Sequence, residues 1–222
     1  MTVDLNQPRA EKPPAEDRIL AAAREEFAAK GFFGARTQAI ADAAGLNKAM
    51  LHYYFRTKEI LYGQVIKSAL ENLFSGIIKA WLMERPLPEK VEAVVDLYLD
   101  MVRRDPSLMK IILREAVDGG DRMKKIFTQS SLAPPFGPGS PIHDVLQDFG
   151  DKLGLGPTEA LHIYVNIVGM CVVSYVSPMM LETLVQYDTS DFEAFLAERR
   201  KAIKAMVRAY FQETLPGADL EL

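Results

Sequence analysis

Residues 37–55 read Thr37-Gln38-Ala39-Ile40-Ala41-Asp42-Ala43-Ala44-Gly45-Leu46-Asn47-Lys48-Ala49-Met50-Leu51-His52-Tyr53-Tyr54-Phe55. Ile40 is the apolar residue of a very short helix, Gln38 to Ala44, with Thr37 just ahead of it. Ala41 and Ala44 are small enough for a second helix to cross closely. Gly45 permits the tight turn, because a positive φ is costly for other residues. Leu46 plugs that turn into the core, and Asn47 offers a side-chain oxygen to the orphan amides that open the next helix. Leu51 and Phe55 then face inward on one side of that helix. Lys48, Ala49, His52 and Tyr53 are left pointing outward at its N-terminal end, where base edges of a duplex would be met. A bare helix-glycine-helix hairpin is more often structural. Here short helix, alanine crossing, glycine turn, polar cap and aromatic cluster arrive in order, and together they point to a DNA-reading helix-turn-helix.

Outward from this stretch the periodicity is helical almost throughout, with no alternating strand run and no internal repeat. Upstream, Ile19, Ala23 and Phe27 share one face of a helix from about Ala15 to Lys30, stopped by Gly31. Residues 1–14, with three prolines and no apolar run, read as a mobile arm and not as a signal peptide. Downstream, Thr57 caps a long helix reaching about Trp81, ended by Pro86 and Pro88. Further helices are expected near 88–104, 106–118, 120–131, 141–154, 157–176 and 190–214. A proline-rich loop is expected at Ala133–Pro141, and 216–222 read as a frayed tail. The expected class is all-α, with about nine helices. A helix-turn-helix head over 15–60 is joined by the long fourth helix to a ligand-binding and dimerisation bundle over 61–215.

Composition bounds the function without naming it. The net charge is −4, so nothing global advertises nucleic acid. Residues 1–60 nevertheless carry nine Lys and Arg against eight Asp and Glu, whereas the remainder is acidic, which permits DNA binding at the N-terminal end. Cys171 is the only cysteine. It excludes a disulfide framework and a cysteine zinc cluster, and suits a reducing, cytoplasmic compartment. In a greasy helix it reads as inert more readily than as a redox sensor. His52, His143 and His162 show no metal-ligand spacing, so neither metal nor cofactor is expected. Between Glu159 and Glu182 no charged residue appears, about the length that crosses a bilayer. That run contains His162, Asn166, Ser174, Ser177 and Pro178 and lacks a basic flank, so a buried helix at a subunit interface is the preferred reading.

The combination within residues 15–62 resembles the TetR family of bacterial transcriptional regulators. It is carried by the Phe27-to-Gly31 helix end, Thr37, Ile40-Ala41, Ala44-Gly45, Leu51, Tyr53, Phe55, Lys58-Glu59 and Leu61. His52 departs from the pattern, since many members carry tyrosine there. The resemblance implies phosphate contacts from Thr37, Gln38 and Lys58, and a groove-facing set of Lys48, Ala49, His52 and Tyr53 beside the cap Asn47. Arg36, Arg9 and Lys12 are weaker candidates. It also implies a homodimer on a pseudo-palindromic double-stranded operator, acting as a repressor released by a small effector.

Two C-terminal stripes are expected to form the dimer interface: Leu161, Val165, Val168, Val172 and Val176, and Phe192, Phe195, Leu196, Ile203, Met206, Val207, Tyr210 and Phe211. An apolar effector site is expected among Tyr98, Met101, Arg114, Phe127, His162, Asn166, Met170 and Tyr175. Methionine suits an adaptable cavity. His162, Asn166 and Tyr164, set in a greasy helix, need hydrogen-bond partners from a ligand or from one another. The alternatives are a ligand-independent regulator or activator, and a helical-bundle enzyme. The latter has no phosphate loop, no nucleophile with a nearby base and no Glu-x-x-His pair to support it.

Overall fold

A computed structural model describes residues 13–129 and 139–214. Among these residues there are ten α-helices and one π-helical turn, with no strand. The all-α expectation is borne out, with one more helix than the periodicity suggested. The chain forms two compact units that divide between Val65 and Ile66, inside its fourth helix.

The head contains α1 (Ala15–Gly34), α2 (Thr37–Ala43), α3 (Lys48–Tyr54) and the first turns of α4 (Lys58–Leu82). Its core contains the apolar residues read from the sequence, Ile19, Ala23, Phe27, Ile40, Leu51 and Phe55, and adds Ala41, Leu61, Tyr62 and Val65, all buried, whereas Leu46, expected to plug the turn, is half-buried. Replacing Phe27 by alanine there would cost about 3–5 kcal/mol. Gly31 kinks α1 at φ 68° and does not end it. Beyond the kink, Phe32 meets Tyr62 of α4 edge-on, with ring centroids 5.1 Å apart, and Tyr62 meets Phe27 at 4.8 Å. These aromatic contacts explain why the helix resumes past the glycine. Thr37 is the first residue of α2 and not its cap. The Arg36 amide at the cap position donates instead to Glu26 Oε1 of α1.

The body contains α5 (Leu87–Arg104), α6 (Pro106–Val117), α7 (Asp121–Gln129), α8 (Pro141–Leu153), α9 (Pro157–Met180) and α10 (Phe192–Thr214). Pro106, Pro141 and Pro157 each open a helix, where a missing N–H costs nothing. Asp105 and Ser140 cap α6 and α8, accepting from the amides of Leu108 and His143. α5 packs against α9 and α10, and α8 against α9. Val95, Tyr98 and Leu99 of α5, Ile167 and Cys171 of α9, and Leu196, Ile203 and Phe211 of α10 lie in their shared core.

α9 is long and apolar enough to cross a membrane by length and composition alone. In this fold it is a packed helix of the bundle, and Arg199 of α10 donates to its Met170 carbonyl and Ser174 hydroxyl. It also runs past its expected end, through Pro178, into the π-helical turn Leu181–Val185. The α10 stripe is divided. Phe195, Leu196, Ile203, Val207 and Phe211 are buried within the chain, whereas Met206 and Tyr210 are exposed. On α9, Leu161, Val165 and Val173 are exposed.

Candidate nucleic-acid interface

Asn47 performs the capping role read from its position: its side-chain oxygen accepts from the Met50 amide at 2.8 Å. Such a cap is worth about 1 kcal/mol, and it fixes where the seven-residue α3 begins. Gly45 has φ +65°, in the left-handed region. The Leu46 amide closes the turn on the Ala41 carbonyl at 2.9 Å. With Leu51 and Phe55 buried beneath, Lys48, Ala49, His52 and Tyr53 are all exposed. Tyr53 is 79% exposed, and its ring meets Tyr54 edge-on. A large aromatic face open to solvent on so short a helix leaves much contact area for a partner.

The remaining head candidates are placed differently. Gln38 is exposed, and its amide donates to Asp42 at 2.8 Å, one turn along α2. Thr37 is half-buried. Thr57 caps α4, accepting from Ile60 at 3.2 Å. Lys58 is half-buried, not extended: its ammonium donates to the Phe33 carbonyl at 3.3 Å and lies 5.0 Å over the Phe32 ring. It therefore ties the start of α4 to the end of α1, with its further N–H donors available to a phosphate. Arg36 is exposed, while Arg9 and Lys12 lie outside the described residues. Sequence reading missed Arg18, whose guanidinium reaches from α1 to the Ala44 carbonyl at the helix-turn-helix turn.

In the body, the expected effector residues separate. Tyr98 is buried, and its phenol shares a short hydrogen bond with Tyr164 across α5 and α9. Met101, Met170 and Tyr175 pack around the same core. Burial, and behind it the neighbouring Tyr164 phenol, pushes the Tyr98 pKa far above its ordinary value. Burial likewise raises that of Tyr164. Both phenols are therefore neutral hydrogen-bonding groups at any physiological pH. Cys171 is buried beside them, and burial pushes its thiol up to about 12, against the lowering effect of Arg199 and Arg200. A thiol held protonated is a poor redox centre. His162 and Asn166 are exposed on the outer face of α9, and Arg114 is exposed at the end of α6. Those three do not join the buried phenols, whereas Tyr164, the third polar group expected to need a partner, finds it in Tyr98. The side chain of Phe127 lies outside the described residues.

Residues 19–65 match the profile of the bacterial regulatory proteins of the tetR family. The transcriptional activator FasR of Mycolicibacterium smegmatis is 30% identical over 107 residues, covering 47% of this chain and 49% of FasR. The chain thus spans about half the length of that relative. The transcriptional repressor NicS of Pseudomonas putida is 26% identical over 184 residues, covering 80% of this chain and 84% of NicS. The solved fatty acid degradation regulator FadR of Bacillus halodurans shares the fold, with a TM-score of 0.63 at 16% identity over 89% of this chain and 96% of that one. These relatives are named as regulators, and none of the three as an enzyme. The likeness to the tetR family of bacterial regulatory proteins thus rests on residues 19–65, the helix-turn-helix head.

Proposed function

We propose that the chain is a cytoplasmic transcriptional regulator that binds a pseudo-palindromic DNA duplex as a homodimer and is released by a small, largely apolar effector. The observation that carries the DNA reading is the outer face of α3, where Lys48, Ala49, His52 and Tyr53 stand exposed on a helix anchored by Asn47, Leu51 and Phe55. Thr37, Gln38 and Lys58 supply the flanking phosphate contacts that set register, while the α3 face reads bases. The homodimer forms on the uncovered apolar face of α9 and α10, through Leu161, Val165, Val173, Met206 and Tyr210, all exposed in the single chain. Two α3 helices then sit roughly 34–36 Å apart, one helical turn of DNA.

The effector enters the body beside the Tyr98–Tyr164 pair, where flexible Met101 and Met170 can repack and neutral phenols can bond one polar group. α4 is a single helix whose first turn belongs to the head and whose Trp81 is buried in the core of the body. An effector that shifts Trp81 therefore acts on the helix that ends at the head. A tenfold loss of DNA affinity requires about 1.4 kcal/mol of preference for the released state. The relatives include both an activator and a repressor; we assign this chain the repressor role.

The test is a gel shift against the DNA flanking the chain's own gene, repeated with a panel of small apolar compounds. Retardation that a compound abolishes is the expected result. No retardation overturns the DNA reading. Retardation that no compound alters overturns the effector reading and favours a ligand-independent regulator.

A further inference from the structure

We propose that Arg18 is a positioning residue for DNA binding, acting through the Ala44 carbonyl to set the direction of α3. This rests on the DNA-reading role proposed above and adds what holds the reading helix in place. Arg18 Nη1 donates to the Ala44 carbonyl at 2.9 Å. Ala44 is the residue immediately after α2, with αR geometry (φ −75°, ψ −6°), and the left-handed Gly45 follows it. A carbonyl at a helix C-terminus lacks an intrahelical donor and favours a cation. The arginine supplies both from another element.

The guanidinium lies across the turn itself, since a Cβ at Gly45 would stand 3.5 Å from Nη1. The other bonds of the turn are local, Gly45 amide to Asp42 carbonyl and Leu46 amide to Ala41 carbonyl. They close the turn without referring it to α1, and Arg18 provides that reference. Its Nε is buried without an acceptor, a cost that a methionine of similar length would not incur. The arginine is thus poorly explained as packing and well explained by its reach to Ala44. α2 begins at one phosphate-facing end and α3 presents the base-facing side, so both meet one duplex only if the angle at this turn is fixed. Small misplacements far from a contact are known to be expensive in other positioned systems.

The experiment uses the full chain and a duplex that the wild-type protein selects from a randomised pool. Arg18→Met is expected to retain its helical circular dichroism. At 25 °C it should bind that duplex about tenfold more weakly, with the salt slope unchanged because no phosphate contact is lost. Arg18→Lys, whose ammonium can seek the same carbonyl, is expected to recover most of the affinity. Wild-type affinity in folded Arg18→Met overturns the proposal. So does a salt slope lowered by about one, which marks a direct phosphate contact. Should Arg18→Met not fold, Gly45→Ala strains the same turn from its other side. The same loss at unchanged slope supports the proposal, and wild-type affinity overturns it. Failure of the wild-type protein to select any duplex is a different result, overturning the reading of α3 itself.

Discussion

Arg200 of α10 donates to Asp100 of α5 at 2.8 Å, across a hundred residues of chain. The same guanidinium reaches Asp96 at 2.5 Å, Lys204 reaches Asp96 at 2.7 Å, and Arg208 pairs with Glu92. Acidic residues four apart on α5 thus face basic residues four apart on α10, in opposite chain directions. Arg200 and Lys204 each meet two acidic residues one turn apart, so the pairs form a continuous network along the α5–α10 contact. That network also fixes which side of α10 faces inward, and so why much of its apolar stripe is core and not interface.

The Arg200–Asp100 pair is partly exposed, so its own worth is modest. Asp100→Asn is expected to lower unfolding stability by about 0.5–1 kcal/mol, measured by urea denaturation. The difference should narrow at high salt.

Gln186 ends the α9 region in the left-handed conformation, φ 55° and ψ 33°. The Tyr187 amide returns to the Leu181 carbonyl at 3.1 Å, a closure that glycine makes more easily. Gln186→Gly is expected to raise stability by about 1 kcal/mol, because relief of the left-handed strain exceeds the added freedom of the unfolded chain. A lowered thermal midpoint would show that the Gln186 side chain contributes more than its backbone strain costs.

Trp81, the only tryptophan, donates its indole N–H to Asp148 at 2.8 Å. The hydrogen bond from Lys152, with opposing burial and further help from Trp81 and the Lys152 and Lys90 charges, holds the Asp148 carboxyl below its ordinary value. A depressed carboxylate stabilises the fold above its unfolded pKa and ceases to do so as pH falls through its folded value. Asp148→Asn is therefore expected to be less stable than wild type at neutral pH. The gap should close in strong acid, as followed by Trp81 fluorescence during urea unfolding. A gap that stays constant with pH would contradict the assignment.

Val165 and Met206 are 54% and 61% exposed, so a carboxylate at either leaves the core of the single chain intact. Val165→Glu and Met206→Glu are each expected to yield folded monomers by sedimentation, with weakened DNA binding. Unchanged oligomeric state in both variants would place any dimer contact elsewhere.

The head was legible because its signals are local. The Asn47 and Thr57 caps, the Gly45 turn and the buried Leu51–Phe55 pair each depend on neighbours a few residues away. The body was legible as helices but not in orientation. A helix apolar on most sides, such as α9, does not reveal which face meets α5, so His162 and Asn166 were assigned inward when they lie outward. Lys58 looked like a free cation, since the bend that brings the Phe33 carbonyl to it begins at Gly31, which read as a stop. Arg18 sits one position before Ile19 on a buried face, and its tie to Ala44 becomes visible only once α1 and α2 are packed.

Whether the outer face of α3 reads DNA is decided by selection from a randomised duplex pool by the wild-type protein and by His52→Ala. The wild type is expected to enrich a pseudo-palindrome, and His52→Ala to enrich one altered at matching positions in both halves, since base-edge contacts set sequence preference. No enrichment by the wild type, or an identical sequence and affinity with His52→Ala and Lys48→Ala alike, would contradict DNA reading by α3.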